Sequence, residues 1–168
     1  MTSVQLIADT NVISYIHAKS SLGLAYRDLI GNRDVGLTGH TLAELRAGPV
    51  IGRWGERRLN RYLQFLEEFT HVPCTREMAE VCGGIRGMRR RIGEPIDWAD
   101  AWAAACALWL DVPLVTHDRD LEGIPDLRVI TVHDEWRVGE ETMGEAAPSG
   151  IWIGQSARGA LVGGVVHR

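Results

Sequence analysis

The sequence predicts an α/β fold: a parallel sheet covered by helices on both faces. Three observations predict it. Short β-branched runs alternate along the chain with segments of helical period, the pattern of successive β–α units. Two of those runs, VQLIAD and DVPLVTHD, break off on a carboxylate, Asp9 and Asp118, just before the pattern changes. The segment DWADAWAAACALWL is apolar almost all round beyond its first turn, as a central, buried helix would be.

Each element has its own local reason. VQLIAD is a short buried strand and NVISYIHA the start of a helix. LGLAYRDLI forms a second helix that stops at Gly31-Asn32. DVGLTGH is a strand with a turn. TLAELRAG starts a helix, with Thr41 and Glu44 at capping-box spacing and Gly48-Pro49 as its stop. From Trp54 to Phe69, Leu59, Tyr62, Leu63, Leu66 and Phe69 line one helical face, and Arg53, Arg57 and Arg61 lie roughly opposite. HVPC is a weak strand. Thr75 to Arg90 is a helix with Met78, Val81, Cys82 and Ile85 inward, weakened by Gly83, Gly84 and Gly87. LRVITV is the final strand. There is no internal repeat. Residues 1–137 form the expected domain; residues 138–168 read as a Gly-rich extension, either disordered or adding an edge element.

At 168 residues and 45% hydrophobic, the chain buries a substantial core without staples. No basic segment precedes a long apolar one near the start, and no apolar run reaches the ~20 residues of a membrane span. Cys74, Cys82 and Cys106 match no metal-ligand spacing and read as core filler in a reduced cytoplasm. Net charge is −4, which taken alone argues against a nucleic-acid binder. Only Lys19 among the basic residues is a lysine; an Arg bias suits phosphate but equally reflects base composition.

In a parallel sheet, ligands bind beyond the carboxyl ends of the strands. Asp9 and Asp118 sit at such ends, Glu44 lies in the first turn of its helix, and Asp97 and Asp100 open another. Singly, each reads as a helix cap or a turn residue. Jointly they form a candidate acidic site. Gathered carboxylates repel, and a hard divalent cation resolves the repulsion. Such an ion activates a water for in-line displacement at a phosphodiester. Thr10, Asn11, Ser14 and Thr116 would add hydroxyl and amide groups around the acids.

The pieces ADTNVIS, TLAELRAG, DAWAAACAL from Asp100 and LVTHDRDL, in that order, resemble a PIN-domain ribonuclease and specifically the VapC toxins of bacterial toxin–antitoxin pairs. The resemblance spans residues 4–134. It implies a three-layer α/β/α fold with a five-stranded parallel sheet, and a site that binds Mg²⁺ or Mn²⁺ and cleaves RNA endonucleolytically. Asp9, Glu44, Asp100 and Asp118 match the family's acids. Asp9 and Asp100 are the expected direct metal ligands, with Glu44 and Asp118 binding directly or through water. Thr10, Asn11, Ser14 and Thr116 match its polar accessory positions, and Asp97, one turn before Asp100, is an extra acid. The resemblance also implies a cognate antitoxin as partner, a homodimer, and a blocking group such as an Arg pushed into the acidic site. The extension and the tryptophans Trp98 and Trp102 depart from the pattern; Trp102 reads as core.

Arg86, Arg89, Arg90 and Arg91 directly precede the Asp97–Asp100 segment and are read as phosphate-guiding, whereas the Arg53 row reads as a solvated face. His17, His40, His71, His117 and His133 are read as structural. A phosphoacceptor reading of Asp9 lacks the lysine and second Asp such sites need. A PIN-fold housekeeping nuclease and a non-catalytic PIN-like binding module stay open as alternatives.

Overall fold

The computed structural model describes residues 4–132; His133, the end of the 1–137 domain and the 138–168 extension lie outside them. Five strands carry the sheet: β1 (Leu6–Ala8), β2 (Val35–Thr38), β3 (Thr70–Val72), β4 (Leu114–Val115) and β5 (Val129–Ile130). All pair in parallel in the order β3-β2-β1-β4-β5. The helices are α1 (Thr10–Ala18), α2 (Ser21–Ile30), α3 (Gly39–Ile51), α4 (Glu56–Leu66), α5 (Arg76–Arg91) and α6 (Trp98–Leu110).

Strand alternation divides the core into two layers, giving a three-layer α/β/α fold. Side chains of successive strand residues point to opposite faces. Ile7, Leu114 and Val129 therefore join α5 and α6, with Met78, Cys82 and Ile85. Leu6, Ala8, Leu37 and Val115 face the other way, onto Val12, Ile13 and Ile16 of α1 and Tyr26 of α2. The small side chains of α6 (Ala101, Ala103, Ala104, Ala105 and Ala107) are all buried, so this helix packs on nearly every side. On the opposite face α1 and α2 approach so closely that a Cβ at Gly23 would lie 1.9 Å from the Tyr15 carbonyl oxygen.

Five helices start on a polar cap: the side chains of Asp9, Ser20, Thr38, Thr75 and Asp97 accept from Val12, Gly23, Thr41, Met78 and Asp100 backbone N–H groups. Thr38 corrects the sequence reading of α3. The helix begins before Thr41, because the Thr38 hydroxyl takes the capping role and leaves Glu44 free of any capping box. Nor does Gly48-Pro49 stop it. Pro49 lies inside α3, where it offers no N–H to the Leu45 carbonyl. That orphaned oxygen accepts instead from the Tyr62 hydroxyl at 3.0 Å, which fastens α4 to α3.

Cys82 and Cys106 are buried, and burial pushes their thiols up to about 11 and about 12, so both are inert filler; Cys74 is exposed, contrary to its core assignment. Among the described residues no helix is long and apolar enough to cross a membrane.

Candidate active site

The chain leaves β1 for β2 on one side and later returns to β4 on the other. The edge beyond β1 and β4 is therefore the topological switch point, where parallel sheets open a crevice. Ala8 and Val115 are register partners, so Asp9 and Thr116 emerge side by side. Asp9 is 6% exposed. One carboxylate oxygen caps α1, accepting from Val12 N–H at 2.8 Å; the other accepts from the Thr116 hydroxyl. The Thr116 oxygen in turn accepts from Asp118 N–H at 3.0 Å. One fully buried threonine thus ties both strand-end acids together.

The other acids arrive on helices. Glu44, on α3, accepts from the Thr10 hydroxyl at 2.5 Å. Asp97 caps α6, accepting from Asp100 N–H at 2.9 Å, and Asp100 follows in its first turn. Asp9, Glu44, Asp97, Asp100 and Asp118 line one open cavity of about 350 Å³, with Thr10 and Asn11 on its wall. Thr116 stands behind Asp9. Ser14 does not reach this cavity: one turn along α1 from Thr10, it lines an adjoining groove.

The acids feel one another. Burial raises the proton affinity of Asp9, hydrogen bonds from Thr116, Val12 and the His117 backbone lower it again, and the Asp118 charge adds to the rise. Asp100 is pushed up to about 7, first by burial, then by the charges of Asp97, Asp118, Asp9 and Glu44. A carboxyl that holds its proton near neutrality, because it is half-buried and four other carboxylates surround it, marks a site short of positive charge.

A divalent cation fits that deficit. Among the described residues no three His, Cys, Asp or Glu side chains close into a ready-made ligand cage. Mg²⁺ needs none, since it keeps several waters and takes one or two carboxylates plus substrate phosphate. An open, all-oxygen cluster matches that habit better than it would match zinc, which prefers nitrogen and sulfur ligands in a closed tetrahedron.

The arginines behave differently from the sequence reading. Arg89, near the end of α5, is 5% exposed and its guanidinium is committed. It pairs with Glu94 at 2.8 Å and donates to the Glu94 and Asp120 carbonyls at 3.1 and 3.0 Å. Gly123 leaves it room: a Cβ there would meet Arg89 Nη1 at 2.6 Å. Arg89 is a structural clamp, not a phosphate guide. Arg86 donates to the Ile96 carbonyl at 2.7 Å and lies 4.0 Å from the centre of the exposed Trp98 ring. Arg90 and Arg91 remain exposed.

Tyr26 has no role in the sequence reading. Fully buried on α2, its hydroxyl donates to the Thr116 carbonyl at 3.0 Å and meets His117 Nδ1 at 2.9 Å and the Thr131 hydroxyl at 3.2 Å. It pins the end of β4 from behind the acids. No periodicity marks it, because its partners lie some ninety residues away.

Residues 6–127 match the family described as PIN domain. The chain belongs to the PIN-domain family. No curated protein matches this PIN domain. Its fold is similar to those of solved VapBC and FitAcB structures. DNA-bound VapBC from Salmonella typhimurium shares 26% identity at a TM-score of 0.67, over 77% of this chain and 98% of that one. FitAcB from Neisseria gonorrhoeae shares 27% at 0.67, over 77% and 99%. VapBC-5 from Mycobacterium tuberculosis, described as a toxin–antitoxin system, shares 28% at 0.58, over 76% and 98%.

Proposed function

We propose that this PIN domain is a Mg²⁺- or Mn²⁺-dependent endoribonuclease and the toxin of a type II toxin–antitoxin pair. The single observation that carries the reading is the convergence of five carboxylates, from segments far apart in sequence, at the switch-point edge of the sheet. The similarity to VapBC and FitAcB assemblies supports the toxin assignment and a cognate antitoxin as partner. A homodimer is the assembly we propose.

Asp9 and Asp100 would hold the cation, and Glu44 and Asp118 would bind it directly or through water. When bound, the ion eases deprotonation of the attacking water and offsets charge on the leaving oxygen of the phosphodiester. Thr116 fixes the rotamer of Asp9 and the turn carrying Asp118. Thr10 holds Glu44 at the rim, and Asn11 offers an amide to substrate oxygens. Arg90 and Arg91, exposed at the end of α5, are the remaining candidates for contacts to the RNA phosphates. An antitoxin that inserts a guanidinium into the carboxylate cluster would occupy the cation's place and silence the site.

The test is expression of the wild type and of Asp9→Asn in a bacterial host, with cleavage of total RNA by the purified proteins followed with and without Mg²⁺. Growth arrest and Mg²⁺-dependent cleavage by the wild type, both abolished in Asp9→Asn, are the expected results. Equal cleavage by the variant, or cleavage indifferent to chelation, would rule the proposal out.

A further inference from the structure

We infer that the groove between α1, α3 and α4 is a nucleobase subsite, which receives an unpaired base of the RNA strand whose phosphate lies among the acids. The inference rests on the nuclease reading and places one base of the substrate in a groove adjoining the same site. The groove encloses about 480 Å³, within the range of small-ligand pockets and ample for one nucleotide. Thr10 and Glu44, hydrogen-bonded to each other, line both it and the acidic cavity, so the two cavities adjoin at that pair.

Its far wall is aromatic. Trp54, in the loop between α3 and α4, faces His17 across 5.8 Å at 24°, and His17 meets Tyr62 edge-on at 4.6 Å. The Arg58 guanidinium lies 3.5 Å from the centre of the Trp54 ring. Unpaired bases are held by stacking on aromatic rings and on guanidinium planes, and the same cation serves the adjoining phosphate. Burial and the charges of Arg58 and Lys19 lower the proton affinity of His17, so its neutral ring offers one donor and one acceptor to a base edge. Ser14, which misses the acidic cavity, finds a role on this groove's wall as a hydroxyl partner for the base. Beyond it, Val50 and Ile51 are 77% and 81% exposed, an apolar surface that suits a protein rather than a base. The recessed groove, with its cation and its position next to the acids, suits the nucleotide.

The experiment titrates the full chain, in Mg²⁺ buffer, with the four ribonucleoside 5′-monophosphates and separately with ribose 5-phosphate. The NMR signals of the Trp54 indole and the His17 imidazole are followed. At least one nucleotide is expected to shift both signals, and ribose 5-phosphate neither. Trp54→Ala should weaken nucleotide binding and slow single-turnover cleavage of total RNA by about 10- to 100-fold at subsaturating RNA. Shifts by ribose 5-phosphate equal to those by every nucleotide would overturn base recognition. So would unshifted signals together with wild-type cleavage by Trp54→Ala; the groove would then belong to a protein partner. Nucleotide-dependent shifts in a chain that cuts no RNA would keep the subsite and sink the nuclease reading.

Discussion

Replacing Asp100 by Asn should stabilise the metal-free protein at neutral and alkaline pH while abolishing metal-dependent cleavage. Asp100 titrates at about 7 in the fold against an ordinary 3.8, so the folded state binds its proton more tightly than the unfolded state between those values. Stability therefore falls as pH rises through that window, and the whole penalty is present above it. A rise of about three units corresponds to about 4 kcal/mol at face value. The side chain is only half-buried, so water and salt screen much of the repulsion, and about 1–2 kcal/mol is the realistic size. The carboxylate's favourable place in the first turn of α6 returns a few tenths of a kcal/mol to the wild type, roughly. At about 2–4 °C per kcal/mol for a chain of this length, Asp100→Asn should raise the melting midpoint by about 2–6 °C near pH 8. Near pH 4 the gap should largely close, since Asp100 is then mostly protonated in the fold and about half-protonated when unfolded. Added Mg²⁺ should narrow the gap at pH 8, because the ion stabilises the wild type more. Thermal melts with and without chelator, at both pH values, measure this. A variant no more stable than wild type at pH 8, or an equal gap at pH 4, would refute the electrostatic account of the cluster.

Three further outcomes follow from the same geometry. Thr116→Val deletes the hydroxyl that donates to Asp9 and accepts from Asp118 N–H, and should weaken Mg²⁺ binding about tenfold by calorimetry with the fold retained. Tyr26→Phe leaves the Thr116 carbonyl and the Thr131 hydroxyl short of a buried partner; urea titration should register a loss of about 1–2 kcal/mol, and cleavage should slow with RNA affinity unchanged. Arg89→Met strands the carbonyls of Glu94 and Asp120 and should cost about 2–4 kcal/mol, whereas Arg90→Glu should leave the midpoint within about 0.5 kcal/mol and instead reduce the salt dependence of RNA binding.

What the sequence by itself determined was the set of elements and the acids at their ends. Alternating β-branched runs and helical periods specify a parallel sheet because both periods are local, and the caps Asp9 and Asp97 follow from residue type, whereas at α3 the cap is Thr38 and not Thr41. The α3 boundary shows where local signals stop. Gly48-Pro49 reads as a helix stop, yet a hydroxyl from Tyr62 satisfies the carbonyl that Pro49 leaves open, and the helix continues. The acids could be named from the chain, but their convergence depends on strand order: only the adjacency of β1 and β4 sets Asp9 beside Thr116 and Asp118. The same packing decided against two sequence assignments, burying Arg89 beneath its own carbonyl partners and turning Ser14 into a neighbouring groove. A charge or hydroxyl is visible in a sequence, but whether water reaches it is a property of what folds over it.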